Sequence, residues 1–379
     1  MKIGLLGFGV VGRGVYDILA GREDISVRTV LCRRDLGELT ARTTREMDDI
    51  LADPEIDTVV EVMGGLHPAY EYVSAALKAG KHVVTSNKHL VCHYYQELTA
   101  LAKENGVALR STAAVGGGIP WLTNLEKAAK VNRISKIWGI LNGTTNYIMD
   151  AMHKSDVDFA DVLKQAQELG YAEADPSADI DGWDIQRKLI ISANAAFGVC
   201  LKEDDVPVFG IRSVTAEDIR RFQAHGYTCK LIASAERLRD SVAAYVEPTL
   251  LSADALESAV PANFNLISME GEHMGRQSFF GQGAGRYPTA YNVVQDLVDI
   301  QSGVRSFYTD DFAPAETNNA GALHRYYVRT GAHFPELDAF VDEVWDGAVV
   351  TMPVSVAHMH TVMQVMQAAD PSSFMAALQ

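Results

Sequence analysis

Asp184 and Lys188 stand four residues apart at the entrance to a stretch, residues 189–197, that is apolar nearly all round. A helical spacing of four puts both side chains on one face, and the apolar run places that face at the mouth of a buried helix. Desolvation lowers a lysine pKa while a neighbouring carboxylate raises it, a balance that suits an amine passing a proton near neutral pH. The same two residues on an exposed capping turn would form an ion pair worth only a few tenths of a kcal/mol, so on these residues alone the pair is either a proton relay or a solvated cap. Glu173, Asp175, Asp179 and Asp181 crowd the turn ahead of it in Gly170-Tyr171-Ala172-Glu173-Ala174-Asp175-Pro176 and its continuation. Asn142-Gly143-Thr144-Thr145 adds backbone and hydroxyl donors at a helix start, fit for an anionic group or for a plain cap.

A second chemistry is written at the N-terminus, where Gly7-Phe8-Gly9-Val10-Val11-Gly12 follows the apolar run Ile3-Gly4-Leu5-Leu6. In such a motif the first glycine makes a tight turn, the second lets backbone approach a pyrophosphate, and the third lets helix pack on strand. Dinucleotide binding is expected, with a ligand-free strand-to-helix turn as the alternative. About twenty residues on, an NAD site would place a carboxylate for the ribose diol; this chain has Cys32-Arg33-Arg34-Asp35. Guanidinium groups there suit a 2′-phosphate, which favours NADP, while Asp35 leaves NAD open. Lys88, in Thr85-Ser86-Asn87-Lys88, follows a strand whose carboxyl end should face the cofactor, and can meet a nicotinamide ribose or a substrate carboxylate. His358 and His360 are two apart with no cysteine nearby, which gives no zinc spacing.

These side chains need elements to hold them. Short β-branched runs at 2–6, 26–32, 57–62, 81–85 and 107–111 alternate with helical stretches near 12–21, 68–79 and 93–105, the pattern of a parallel sheet with crossover helices. The glycine cluster 114–120 breaks that alternation. Beyond it a strand near 133–141, helices near 145–153, 158–169 and 182–197, and strands near 242–248 and 263–269 read as an α+β body. The fold class expected is therefore α/β: a Rossmann-like nucleotide-binding domain over 1–128, an α+β body over 129–285, to which the family resemblance given below assigns catalysis and dimerisation, and a short module over 320–379.

Composition narrows the partners. Lys+Arg of 33 against Asp+Glu of 49 leaves a formal charge of −16, which speaks against nucleic acid. No apolar run approaches the roughly 18 residues of a membrane helix. Cys32, Cys92, Cys200 and Cys229 are scattered with no CxxC, as suits a reducing cytoplasm.

Taken in order, these motifs resemble the homoserine dehydrogenase family from Met1 to about Ser302. The likeness runs through GFGVVG, VVEVMGG (59–65), TSNK (85–88), AVGGGIP (114–120), GILNGTTNYI (139–148), GYAEADPSADIDGWDIQRKL (170–189) and GQGAGRYPTAYNVVQDLVDI (281–300). The resemblance implies NAD(P)-dependent interconversion of aspartate 4-semialdehyde and L-homoserine, on the branch toward threonine, methionine and isoleucine. It implies that Lys188 is catalytic with Asp184 as its acidic neighbour, and that Lys88 serves cofactor and substrate. Glu173, Tyr171, Asp179, Gly143 and Thr144 would hold the substrate, and Gly285 would join Gly7 to Gly12, Arg33 and Arg34 at the cofactor. A helix over 286–303 would return to complete the nucleotide-binding domain, and a homodimer or homotetramer is implied. Some members hold a sodium ion on loop carbonyls, here those of Thr112, Val115, Gly117 and Ile119; Thr112 stands where the family usually has glutamate. The tail begins, at His324 to Arg329, like the first strand of the ACT-type module of many homologues. It reads as degenerate, too short for a full β-α-β-β-α-β unit. From the residues themselves, a reductase of another small amino-acid semialdehyde and a non-catalytic dinucleotide sensor are the alternatives.

Overall fold

Leucine and β-branched side chains alternate along the first strands, and the alternation builds a sheet packed on both faces. In the computed structural model, which describes residues 1–37, 39–305 and 316–379, six strands pair in parallel: β1 (Lys2–Leu6), β2 (Ser26–Leu31), β3 (Arg42–Thr44), β4 (Thr58–Glu61), β5 (His82–Thr85) and β6 (Leu109–Arg110). Their order is β3-β2-β1-β4-β5-β6, the doubly wound arrangement that binds ligands beyond the strands' carboxyl ends. Ile3, Leu5, Val60 and Val84 face the helices Val10–Leu19 and Arg286–Gln301. Their sequence neighbours Leu6, Val59 and Val83 face the helices Ala69–Lys78 and Tyr95–Glu104. Burying each such side chain contributes about 1.5–3 kcal/mol. The expected strands are present within two residues of their bounds. β3 was not expected, because Arg42-Thr43-Thr44 is short and polar.

The chain divides into two compact units, the first made of Met1–Val131, Asn194–Cys200 and the chain from Gly281, the second of Asn132–Ala193, Leu201–Phe280 and the C-terminal segment. In the second, β7 (Ile134–Ile140), β8 (Thr228–Arg237), β9 (Val242–Leu251), β10 (Phe264–Gly271) and β11 (Gly275–Gln282) run in the order β11-β10-β7-β8-β9. β8 escapes sequence reading because Lys230 interrupts it. That lysine is buried, and its Nζ donates to Asn146 Oδ1 at 2.9 Å and to the Val260 carbonyl at 2.8 Å. Burial pushes its pKa down to about 8.

The tail supplies β12 (Leu323–Arg329), a single turn Pro335–Asp338, β13 (Val341–Trp345), β14 (Ala348–Thr351), the two-residue β15 (Val354–Ser355), the helix Val356–Ala369 and β16 (Phe374–Leu378). Apart from β15 this is the full β-α-β-β-α-β order, so the expectation that the segment is too short for it is corrected. The length is saved by shrinking the first helix to one turn and by a tight reversal at Asp346-Gly347, both with positive φ. β16 pairs in parallel with β9, Ala377 against Thr249, so the tail continues the sheet of the second unit. Among the described residues no helix is long and apolar enough to cross a membrane.

Candidate active site

In the first unit, Gly7 and Gly12 of the N-terminal motif have the turn and packing tasks their spacing implies. Gly7 takes φ +96°, and a methyl group on Gly12 would sit 2.3 Å from the Gly7 carbonyl oxygen, so only glycine lets the helix pack against the turn. A Cβ on Gly9 would meet no atom within 4 Å, which leaves backbone facing open space. The helix Val10–Leu19 begins at Gly9 with no side-chain cap, so its first N–H groups are presented to an anion. Beside it lies a cavity of about 600 Å³ walled by Gly7, Phe8, Gly9, Arg33, Arg34, Arg45, Val62, Gly64 and His67. Val10 is exposed, Val11 packs against the core, and the Phe8 ring is buried edge-on to Tyr16.

The turn after β2 settles where its charges point. Asp35 accepts a hydrogen bond from the backbone N–H of Gly37 at 3.0 Å, which holds the carboxylate in a local turn, and it does not line the cavity. Arg33 and Arg34 do, with Arg45, which sequence reasoning missed because it follows the unexpected β3. A dinucleotide with a 2′-phosphate fits this donor set: a glycine cradle, a helix start and three cations.

Lys88 opens the short helix Lys88–His93 directly beyond β5. Asn87 caps that helix, accepting from the Leu90 N–H at 3.1 Å and donating to the Gly65 carbonyl at 2.7 Å. Thr85 donates to the buried Glu61 carboxylate at 2.5 Å, and Glu61 also accepts from the Met63 N–H at 2.7 Å. Burial pushes the Glu61 pKa up, against the pull of these donors. Gly285, at φ +124°, precedes the helix Arg286–Gln301. In the glycine loop, Asp296 of that helix holds Thr112 through its N–H and hydroxyl, while the carbonyls of Gly117 and Ile119 accept from Asn292.

The second unit holds the lysine. Lys188 and Asp184 lie in the first turns of the helix Trp183–Phe197, with Nζ 2.7 Å from the carboxylate and both side chains under a tenth exposed. The ammonium also donates to the Leu141 carbonyl at 2.7 Å, at the end of β7. The solvated-cap alternative is thereby set aside: this is a buried pair. Asn142, next along, donates through one amide nitrogen to Asp184 at 2.9 Å and to Asp179 at 2.7 Å, while its oxygen caps the helix Gly143–Ser155 by accepting from the Thr145 N–H at 2.9 Å. Burial, and next the charge of Asp184, push the Asp179 pKa up. Gly143 has no room for a side chain, since a Cβ would lie 2.7 Å from the Asn263 carbonyl oxygen.

Three of the expected residues, Asp179, Asp184 and Lys188, thus form one hydrogen-bonded chain through Asn142. Thr144 joins the acidic turn over 170–175 by donating its hydroxyl to the Tyr171 carbonyl at 2.5 Å, and the Tyr171 ring lies edge-on to Tyr147 at 5.1 Å. Glu173 is exposed on that turn, whose backbone is tied back by Gln167 donating to the Glu173 carbonyl at 3.1 Å. The bridging role of Asn142 and the Leu141 carbonyl was not anticipated. Asparagine directly before a helix signals a cap, and nothing in its neighbours signals the two carboxylates.

Comparison with known proteins matches two segments of the chain. Residues 7–111 match the family model for the NAD binding domain of homoserine dehydrogenase, and residues 120–298 match that for homoserine dehydrogenase. The homoserine dehydrogenase of Bacillus subtilis is 41% identical over 319 residues, 80% of this chain and 74% of the relative. Among solved structures, a homoserine dehydrogenase from Thiobacillus denitrificans aligns with a TM-score of 0.90 at 33% identity, over 100% of this chain and 98% of the other. A hyperthermophilic archaeal homoserine dehydrogenase mutant in complex with NADPH aligns with a TM-score of 0.69 at 26% identity, over 80% of this chain and 98% of the other.

Proposed function

The chain belongs to the homoserine dehydrogenase family, and on that premise we propose that Lys188, held by Asp184 and the Leu141 carbonyl, is the proton donor in the reduction of L-aspartate 4-semialdehyde to L-homoserine. The chain is an NAD(P)-dependent oxidoreductase acting on a CH–OH group. When bound, the dinucleotide supplies the hydride to the aldehyde carbon and takes it back in the reverse direction. As negative charge develops on the aldehyde oxygen, the Lys188 ammonium stabilises it and gives up a proton. Asp184 keeps that nitrogen aimed, and Asn142 keeps Asp184 from turning away. Run backwards, the amine receives the homoserine hydroxyl proton.

The substrate's own charges need opposite partners. Asp179 and Glu173 suit its ammonium; the Gly143-Thr144 helix start and Lys88 suit its carboxylate. Arg33, Arg34 and Arg45 around the cavity, with Asp35 turned into its own loop, support NADPH over NADH. The outer edge of β11, which pairs only with β10 among the described strands, supports assembly into a homodimer or homotetramer. None of the four cysteines, all described, is in a disulfide, in keeping with a cytoplasmic protein.

The observation that carries the proposal is the buried Lys188–Asp184 pair, which a dinucleotide sensor has no use for. Steady-state assays of semialdehyde reduction and homoserine oxidation with both dinucleotides test it. Turnover in either direction is expected; binding of dinucleotide without any turnover would favour the sensor, and turnover only with another semialdehyde would reassign the substrate.

A further inference from the structure

In the loop over residues 112–119 the carbonyls of Gly117 and Ile119 come close enough to share a single donor, an arrangement that needs something positive between them. We infer that in this chain the Asn292 side-chain amide fills that role and that the loop keeps its shape, and the enzyme its activity, without a bound sodium ion.

Asn292 is fully buried on the helix Arg286–Gln301, and its amide nitrogen donates to the carbonyls of Gly117 at 2.6 Å and Ile119 at 2.9 Å. An NH₂ group has two donors, and both are used. The opposite amide orientation would set three oxygens against one another at those distances. The Ile119 carbonyl accepts in addition from the Trp121 N–H at 2.7 Å, so both its lone pairs are engaged. The Thr112 carbonyl accepts from the Val115 N–H at 3.4 Å. Three of the four oxygens expected to ligate a cation therefore already have protein donors.

One turn further along the same helix, Asp296 takes the Thr112 N–H at 2.8 Å and hydroxyl at 2.7 Å and pairs with the buried Arg110. Two side chains at i and i+4 thus pin both ends of the loop to one helix. The loop is also wedged against the segment before that helix: Gly118 N–H donates to the Gln282 carbonyl at 3.0 Å, and a Cβ on Gly117 would lie 2.5 Å from the Gly283 backbone. Asn292 is accordingly a positioning residue, acting through the loop rather than on the reacting atoms.

Titration of the purified protein with sodium chloride against tetramethylammonium chloride, at constant ionic strength, tests the inference by ²³Na line width, Tm and kcat/KM. The wild type should show no saturable sodium broadening, no salt-specific change in Tm and less than a twofold change in kcat/KM. Asn292→Asp turns the donor into an acceptor facing the same carbonyls, so that variant should lose Tm in tetramethylammonium and recover it saturably with sodium, with roughly a tenfold sodium activation. Saturable sodium binding or activation in the wild type would overturn the inference, as would an Asn292→Asp protein indifferent to sodium. Should the variant fail to fold in every salt, the wild-type line width and Tm decide, and neither depends on which semialdehyde is reduced.

Discussion

Replacing Lys188 with methionine keeps most of the length of the side chain and removes its charge, leaving the buried Asp184 without its ammonium partner. Two separable losses follow. Removing one partner of a buried ion pair costs about 3–5 kcal/mol, a large share of the roughly 5–15 kcal/mol that holds a protein folded. For units of this size that lowers Tm on the order of 10 °C. The chemical loss is independent: withdrawing a positioned proton donor costs about 10²–10⁴ in kcat. The double variant Asp184→Asn with Lys188→Met removes both charges, so it should regain most of the lost Tm and none of the lost kcat. Thermal melts, NADPH fluorescence titration and initial rates of semialdehyde reduction on the wild type and both variants check this, with dinucleotide affinity expected within about threefold throughout. A single variant with kcat within tenfold of wild type would refute the assignment, and so would a double variant whose rate returned along with its stability.

Alanine at Arg33 and Arg34 together should lower kcat/KM for NADPH by about 10–100-fold, roughly 1 kcal/mol for each exposed charge-assisted contact, and change NADH by less than threefold; equal losses would remove the case for a 2′-phosphate site. Arg45→Ala should add about a further fivefold for NADPH, read from the same initial rates. Gly9→Ala and Gly12→Ala separate ligand from packing: a methyl on Gly9 meets no protein atom, so Tm should hold while dinucleotide affinity falls at least tenfold, whereas one on Gly12 meets the Gly7 carbonyl oxygen at 2.3 Å and should lower Tm. His153 gives stability a pH dependence. Its Nδ1 lies 3.1 Å from the Met149 carbonyl and its Nε2 accepts from the Cys229 N–H at 3.0 Å, an arrangement only the neutral ring satisfies, and burial pushes its pKa down to about 4. The unfolded chain, with histidine near 6.5, therefore binds the proton first. Stability is complete above about pH 6.5 and declines as pH falls toward 4. Urea midpoints across that range should show the decline, and His153→Gln should flatten it; parallel slopes would exclude His153 as the cause.

How much of this was legible follows from the range over which each signal acts. The parallel sheet was readable because its apolar alternation and its glycine punctuation are local: Gly7, Gly9 and Gly12 announce a turn, a ligand face and a packing contact within six residues. Lys188 and Asp184 were readable as a pair because a helix makes four residues one neighbour distance. Whether that pair was buried was not, since burial depends on Leu141 and Asn142, more than forty residues upstream. β8 was hidden by a lysine that looks like a surface residue until Asn146 and the Val260 carbonyl are seen to receive it. The tail misled for a different reason: its element order is complete, but one helix is a single turn too short to leave a periodic trace.

Asparagine explains the rest of what the sequence concealed. At Asn142 one amide nitrogen separates two carboxylates, and at Asn292 one amide nitrogen separates two carbonyls. Pairs of oxygens brought that close repel unless something donates to both. A lysine there would bring a charge that must itself be desolvated, and a water would have to be immobilised; a buried NH₂ group offers two donors in a fixed fork at neither cost. Such a residue has no preferred spacing to its acceptors, because they arrive from other elements once the fold has formed. The carboxylates and the lysine are where the chemistry is written, and the amides between them are what the fold adds to make that chemistry geometrically possible.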